Sequence, residues 1–244
     1  MDKHISRRQF MLGGVSAGML AALPACATRR AKVRTAGSRL GSHGQAQLTH
    51  LEGLIVDLMG EAVVPGVAIA FVKDGATVWH RAFGVRDAHS QQPVDQRTVF
   101  AAASVSKTVF AYAVMQLCDR GTLELDTPLT RYTPDRILDG DPRLDLITAR
   151  HVLSHTSGLP NFRSGAEPLR IHFTPGERFQ YSGEGYWYLQ SVITHLTGRI
   201  DPAQCADYEA GMRQCATDID SYLRANVLTP CHMPSSGYVG NKHL

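Results

Sequence analysis

Ser104 stands three residues before Lys107 in the run Ala-Ala-Ala-Ser-Val-Ser-Lys-Thr-Val-Phe at residues 101–110. On a helix, side chains at i and i+3 share a face, so a hydroxyl and an amine at this spacing can touch. A serine hydroxyl is a poor nucleophile until a neighbouring base takes its proton, and a lysine desolvated by apolar walls can be that base because burial lowers its pKa. The same letters also fit an N-cap serine followed by a solvated lysine. The context favours the first reading: residues 105–118 are nearly all apolar, which leaves Lys107 few routes to water, and an unpaired buried amine is costly.

The elements that must position this pair follow from hydrophobic period and punctuation. Leu48, Leu51, Leu54, Ile55 and Leu58 recur at helical spacing and predict a helix to about Met59. Residues 67–72 read as a buried strand, 73–76 as a hairpin turn and 77–85 as the return strand. The helix carrying Ser104 and Lys107 ends at Arg120-Gly121, and residues 147–155 form a short helix stopped by Gly158. Pro175-Gly176 is a turn, 178–181 an extended piece, and 184–196 a helix stopped by Gly198. Residues 205–224 look helical with a polar surface, and no internal repeat is present.

Two further stretches join the Ser/Lys pair in this order. The first is His151-Val-Leu-Ser-His155-Thr-Ser-Gly158-Leu-Pro160; the second runs from Thr174-Pro175-Gly176 to Tyr181-Ser182-Gly183-Glu184-Gly185-Tyr186. Together the three segments resemble the β-lactamase-related serine hydrolases: class C β-lactamases, penicillin-binding D-alanyl-D-alanine peptidases and family esterases. The resemblance covers residues 46–239. It implies an α+β fold of the β-lactamase/transpeptidase type, an antiparallel sheet flanked by helices plus a helical region. It also implies an acyl-enzyme on Ser104, with Lys107 and Tyr181 as the other catalytic residues. A phenol between Ser104 and Lys107 could shuttle the proton from nucleophile to leaving group, given a nearby ammonium to make its phenolate accessible. The substrates implied are small esters, amides, β-lactams or D-alanyl peptides, with no metal or organic cofactor.

The pattern departs from the family in two places. Gly183 occupies the third position of the Tyr-x-Asn motif, a substrate-binding position, and brings no amide side chain; this leans toward simple esters. The family's third motif, Lys/His-Thr/Ser-Gly, does not occur in the 63 residues after Tyr181, and His195-Leu-Thr-Gly198 sits at a helix end. The sheet is therefore expected to lack its C-terminal strands, the oxyanion hole one of its two donors at a cost of about 10²–10³ in rate, and the likeness stops before a divergent tail at 240–244. A chain cut short relative to its family is the expectation, and a catalytically inactive truncated member, an envelope lipoprotein or fragment without turnover, is the alternative to an active hydrolase.

Charge and cysteines place the chain in a compartment. Residues 1–39 hold eight Lys/Arg against one acid, a balance of +7, while the rest carries 17 basic and 21 acidic side chains, a balance of −4. No basic stripe with interleaved aromatics points to nucleic acid. Ser6-Arg7-Arg8-Gln9-Phe10, followed by an apolar run to Leu23, reads as a twin-arginine-type export signal over residues 1–26. Leu23-Pro24-Ala25-Cys26 fits a lipoprotein box with Cys26 lipidated, and Ala25-Cys26-Ala27 fits an ordinary small-x-small cleavage site. The expected destination is the periplasm, soluble or lipid-anchored, with residues 27–45 as a basic linker and membrane contact only through leader or lipid. An oxidising compartment would permit a Cys205–Cys215 bridge, while Cys118 reads as a buried small hydrophobe. His151 and His155 have i, i+4 spacing but no evident third ligand, so no metal site is expected.

Overall fold

A computed structural model describes residues 42–134, 136–163, 168–197 and 208–239. The leader, Cys26, the linker to residue 41, Gly198, Cys205, the side chain of Cys215 and the 240–244 tail lie outside the described residues. So does the Cys205–Cys215 pairing. The chain divides into two compact units, residues 1–94 and 95–244.

In the first unit, helix α1 spans Ser42–Glu61, and strands β1 (Gly66–Lys73) and β2 (Ala76–Gly84) form an antiparallel hairpin. Asp74 and Gly75 both adopt positive φ, the geometry of a two-residue turn whose twist matches that of the strands. The register shifts between Phe71 and Val72. A two-stranded sheet is marginal alone. Here Glu52 of α1 ties it down, accepting from Trp79 Nε1 at 3.3 Å and Arg81 Nε at 2.9 Å. No third strand joins the hairpin among the described residues. Leu54, Val56, Leu58, Phe71 and Val72 are exposed, although the leucine period predicts a buried face for α1.

The second unit is helical. Helices α2 (Ser106–Asp119), α3 (Ala149–Leu153), α4 (Gly183–Leu196) and α5 (Tyr208–Leu223) surround a core that includes Val114, Leu117, Leu144, Ile147, Leu189 and Ile193. Only one face of α2 enters it: Phe110, Ala113, Val114 and Leu117 are buried, while Tyr112 and Met115 are exposed. Cys118 is half-buried at its margin. The chain continues from α5 into a π-helical turn, Arg224–Leu228.

Candidate active site

Ser104 does not sit within α2 but in a single 3₁₀ turn, Ala103–Val105, that leads into it. Ala103, immediately before it, is held at φ +44°, a conformation disfavoured for any residue with a Cβ. Strain of this kind persists only where surrounding structure enforces it. Part of that enforcement comes from Tyr238, whose Oη donates to the carbonyl of Ser106. Asp220 holds Tyr238 in turn, accepting from its N–H at 2.6 Å. The turn leaves the Ser104 side chain exposed and its N–H in a first turn, where helical donors lack an intrahelical acceptor.

Lys107, one step into α2, donates from Nζ to Ser104 Oγ at 3.3 Å. Its ammonium lies 5.1 Å from the ring centroid of Tyr181 and 5.5 Å from that of Tyr186. No carboxylate pairs with it among the described residues. The lysine is half-buried rather than walled in, because α2 buries a single face and Lys107 stands at its edge. The expectation of an amine with few routes to water is corrected accordingly.

Tyr181 reaches this pair from the far end of the unit, and the backbone explains how. The loop 155–160 and the segment 172–184 are zipped together: His172 N donates to Gly158 O, Gly176 N to Thr156 O and Gln180 N to His155 O, each at 2.8 Å. Gly158 has φ +79° and lies flat against the Phe173 carbonyl, where a Cβ has no room. Ser182 then caps α4, accepting from Gly185 N at 2.8 Å while its own hydroxyl donates to Pro160 O at 3.1 Å. Tyr181 is thus the last residue before a well-anchored helix start. Its phenol is pulled below the usual tyrosine range by its interaction with the Ser104 hydroxyl first, then with the Lys107 amine and its charge. Neighbouring Tyr186 is pushed the other way, first by burial and then by Tyr181. Two adjacent phenols driven apart in this way mark which one is suited to proton transfer.

Gly183 is buried and does not line the cleft. A Cβ added there would fall inside hydrogen-bonding distance of the Asn161 carbonyl and 3.0 Å from Asn161 Oδ1. Glu184 is also buried, and Arg163 accounts for it, with Arg163 Nε donating to Oε2 at 2.9 Å and Arg163 N to Oε1 at 3.2 Å. The two histidines part company. His151 belongs to the cap of α3, its Nδ1 3.3 Å from the Thr148 N–H. His155 enters the cleft, its ring stacked 4.4 Å from that of Tyr181 at an interplanar angle of 29°. Sequence reasoning missed this role; the only signal was its place in the His-Thr-Ser-Gly run.

Ser104, Lys107, His155, Tyr181 and Tyr186 line one open cleft of about 540 Å³. A hydroxyl, an ammonium and an acidified phenol in mutual contact can activate the hydroxyl and return its proton to a leaving group.

The chain is similar to several known proteins. Residues 51–237 match the family model described as Beta-lactamase. Esterase EstB of Burkholderia gladioli is 36% identical over 112 residues, covering 45% of this chain and 28% of the esterase. Among solved structures, an octameric penicillin-binding protein homologue from Pyrococcus abyssi aligns with TM-score 0.60 at 26% identity, over 77% of this chain and 43% of that one. A class C beta-lactamase solved in complex with cefoxitin aligns with TM-score 0.56 at 23% identity, over 75% of this chain and 49% of that one. This chain spans less than half the length of each of these relatives. The structural likenesses bear out the β-lactamase/transpeptidase-like α+β fold, of which the two described strands are part.

Proposed function

The chain belongs to the beta-lactamase family, and from that premise we propose that it is a serine hydrolase that forms an acyl-enzyme on Ser104. The observation that carries this reading is the convergence of Ser104, Lys107 and Tyr181 on one cleft, with Lys107 Nζ 3.3 Å from Ser104 Oγ and 5.1 Å from the Tyr181 ring centroid. Ser104 Oγ attacks the substrate carbonyl carbon, and its proton passes to the Tyr181 phenolate, which the Lys107 ammonium stabilises. The tetrahedral intermediate collapses, the bond to the leaving oxygen or nitrogen breaks, and Tyr181 returns the proton to that atom. Water then attacks the acyl-serine by the reverse relay, releasing the acid and restoring Ser104. The Ser104 N–H supplies one donor to the oxyanion.

Ester substrates fit best. The backbone of Asn161 fills the space beside Gly183, so the motif's third position offers no carboxamide to hold a substrate amide. The experiment offers purified protein a short-chain nitrophenyl ester and a chromogenic cephalosporin, with Ser104→Ala as control. Ester turnover abolished by that substitution supports the proposal, and cephalosporin turnover exceeding ester turnover removes the ester preference. The exposure of Ser104 in an open cleft favours a second reading, a chain that acylates but turns over slowly or not at all. Stoichiometric labelling of Ser104 without steady-state turnover would select it.

A further inference from the structure

His155 holds all three residues around the phenol. Its carbonyl accepts from Gln180 N at 2.8 Å, its ring stacks on Tyr181, and its Nδ1 accepts from Ser182 N at 3.1 Å. Its backbone is at φ +57°. Phe179 closes one side edge-on at 5.8 Å, and Tyr186 lies 5.3 Å away. An Nδ1 that accepts from an amide fixes the tautomer: the proton must reside on Nε2 and the ring must be neutral.

We infer that His155 is a positioning residue for Tyr181, and that protonating its imidazole releases the phenol from Ser104 and Lys107 and switches acylation off. A protonated Nδ1 would point N–H at N–H across the Ser182 contact. It would also set a second cation beside the Lys107 ammonium of α2, the charge that already reaches the ring. Tyr181 and Tyr186, before and at the start of α4, are the other titratable groups against it. Desolvation first, and Lys107 second, hold the imidazole below its usual pKa, so the neutral clamp is the resting state near neutrality.

This inference rests on the acyl-enzyme reading, and two measurements keep their failures apart. The first is nitrogen NMR of the wild-type imidazole, independent of activity. It should show an unprotonated Nδ1 at pH 7.5 and titration below pH 6.5, the ordinary histidine value. A protonated Nδ1, or titration above that value, overturns the inference. The second is the rate of Ser104 labelling by a fluorophosphonate between pH 5 and 8 in wild type, His155→Asn and His155→Ala. Asparagine tolerates positive φ and keeps an acceptor near the Nδ1 position but cannot titrate. It should label within about 3-fold of wild type at pH 8 and lose the part of the acid limb that follows the imidazole, keeping only the part set by the Tyr181 phenol, the insensitivity of the amide standing against the charge change of the ring. Alanine should be slower by about 10-fold or more at pH 8, the scale on which a misplaced proton-transfer group acts. An acid limb in His155→Asn that matches wild type overturns the inference. Absence of Ser104-dependent labelling in wild type overturns the acyl-enzyme reading instead, and the imidazole titration then decides the clamp by itself.

Discussion

Restoring a side chain at position 183 should damage the protein rather than repair a motif. A Cβ on Gly183 would crowd the Asn161 carbonyl and lie 3.0 Å from Asn161 Oδ1. The loop cannot yield freely, because Pro160 O accepts from Ser182 Oγ at 3.1 Å and from Glu184 N at 3.3 Å. Overpacking of this kind costs about 1–3 kcal/mol. Loosening the two bonds to Pro160 adds about 0.5–1.5 kcal/mol each. Replacing a helical glycine returns about 1 kcal/mol at most. Gly183→Ala should therefore lose about 3 kcal/mol, and at a urea m-value of about 2 kcal/mol/M its midpoint should fall by about 1.5 M. Gly183→Asn should fall at least as far. Urea unfolding followed by circular dichroism reads the shift. A Gly183→Ala protein as stable as its parent would refute the reasoning that Asn161 owns this space.

Other substitutions probe the site and its frame. Tyr181→Phe keeps the ring on His155 but loses the shared proton, and should slow Ser104 acylation by about 10²–10⁴ with an unchanged urea midpoint. Glu184→Ala removes the buried carboxylate that accepts from Arg163 N and Nε and should cost about 1–3 kcal/mol in the same assay, with Glu184→Gln costing less. Tyr188 Oη is buried with no hydrogen-bond partner among the described residues, and burial pushes that phenol up to about 12. Tyr188→Phe should therefore leave stability unchanged or raise it by up to about 1 kcal/mol.

The sequence carried the parts of this site that depend on local order. The hairpin turn was legible because Asp74-Gly75 suits positive φ, and α4 because residues 184–196 read as a helix ahead of a Gly198 stop. The Ser/Lys pair was legible from its spacing taken together with the segments that follow it. Its surroundings were not: the apolar letters of 105–118 suggested a lysine cut off from water, but composition does not say which faces of a helix find partners. Nor did the letters reveal that Ser104 precedes α2 in a strained turn, since nothing marks an alanine for positive φ. His155 was hidden for the same reason, its ring stacking on one that lies 26 positions away in the chain and its own positive φ unmarked by the letters. The leucine period of α1 was read correctly as a helix, while its burial depends on contacts that the period does not specify.

The central claim is that Ser104 is a nucleophile activated by Lys107 and Tyr181. Peptide mapping by mass spectrometry after fluorophosphonate treatment tests it most directly. The account predicts one adduct per chain on Ser104 in wild type, its rate falling by at least about 10²-fold in Tyr181→Phe. Folded protein that carries no adduct on Ser104, or labels it equally fast without the phenol, would contradict it.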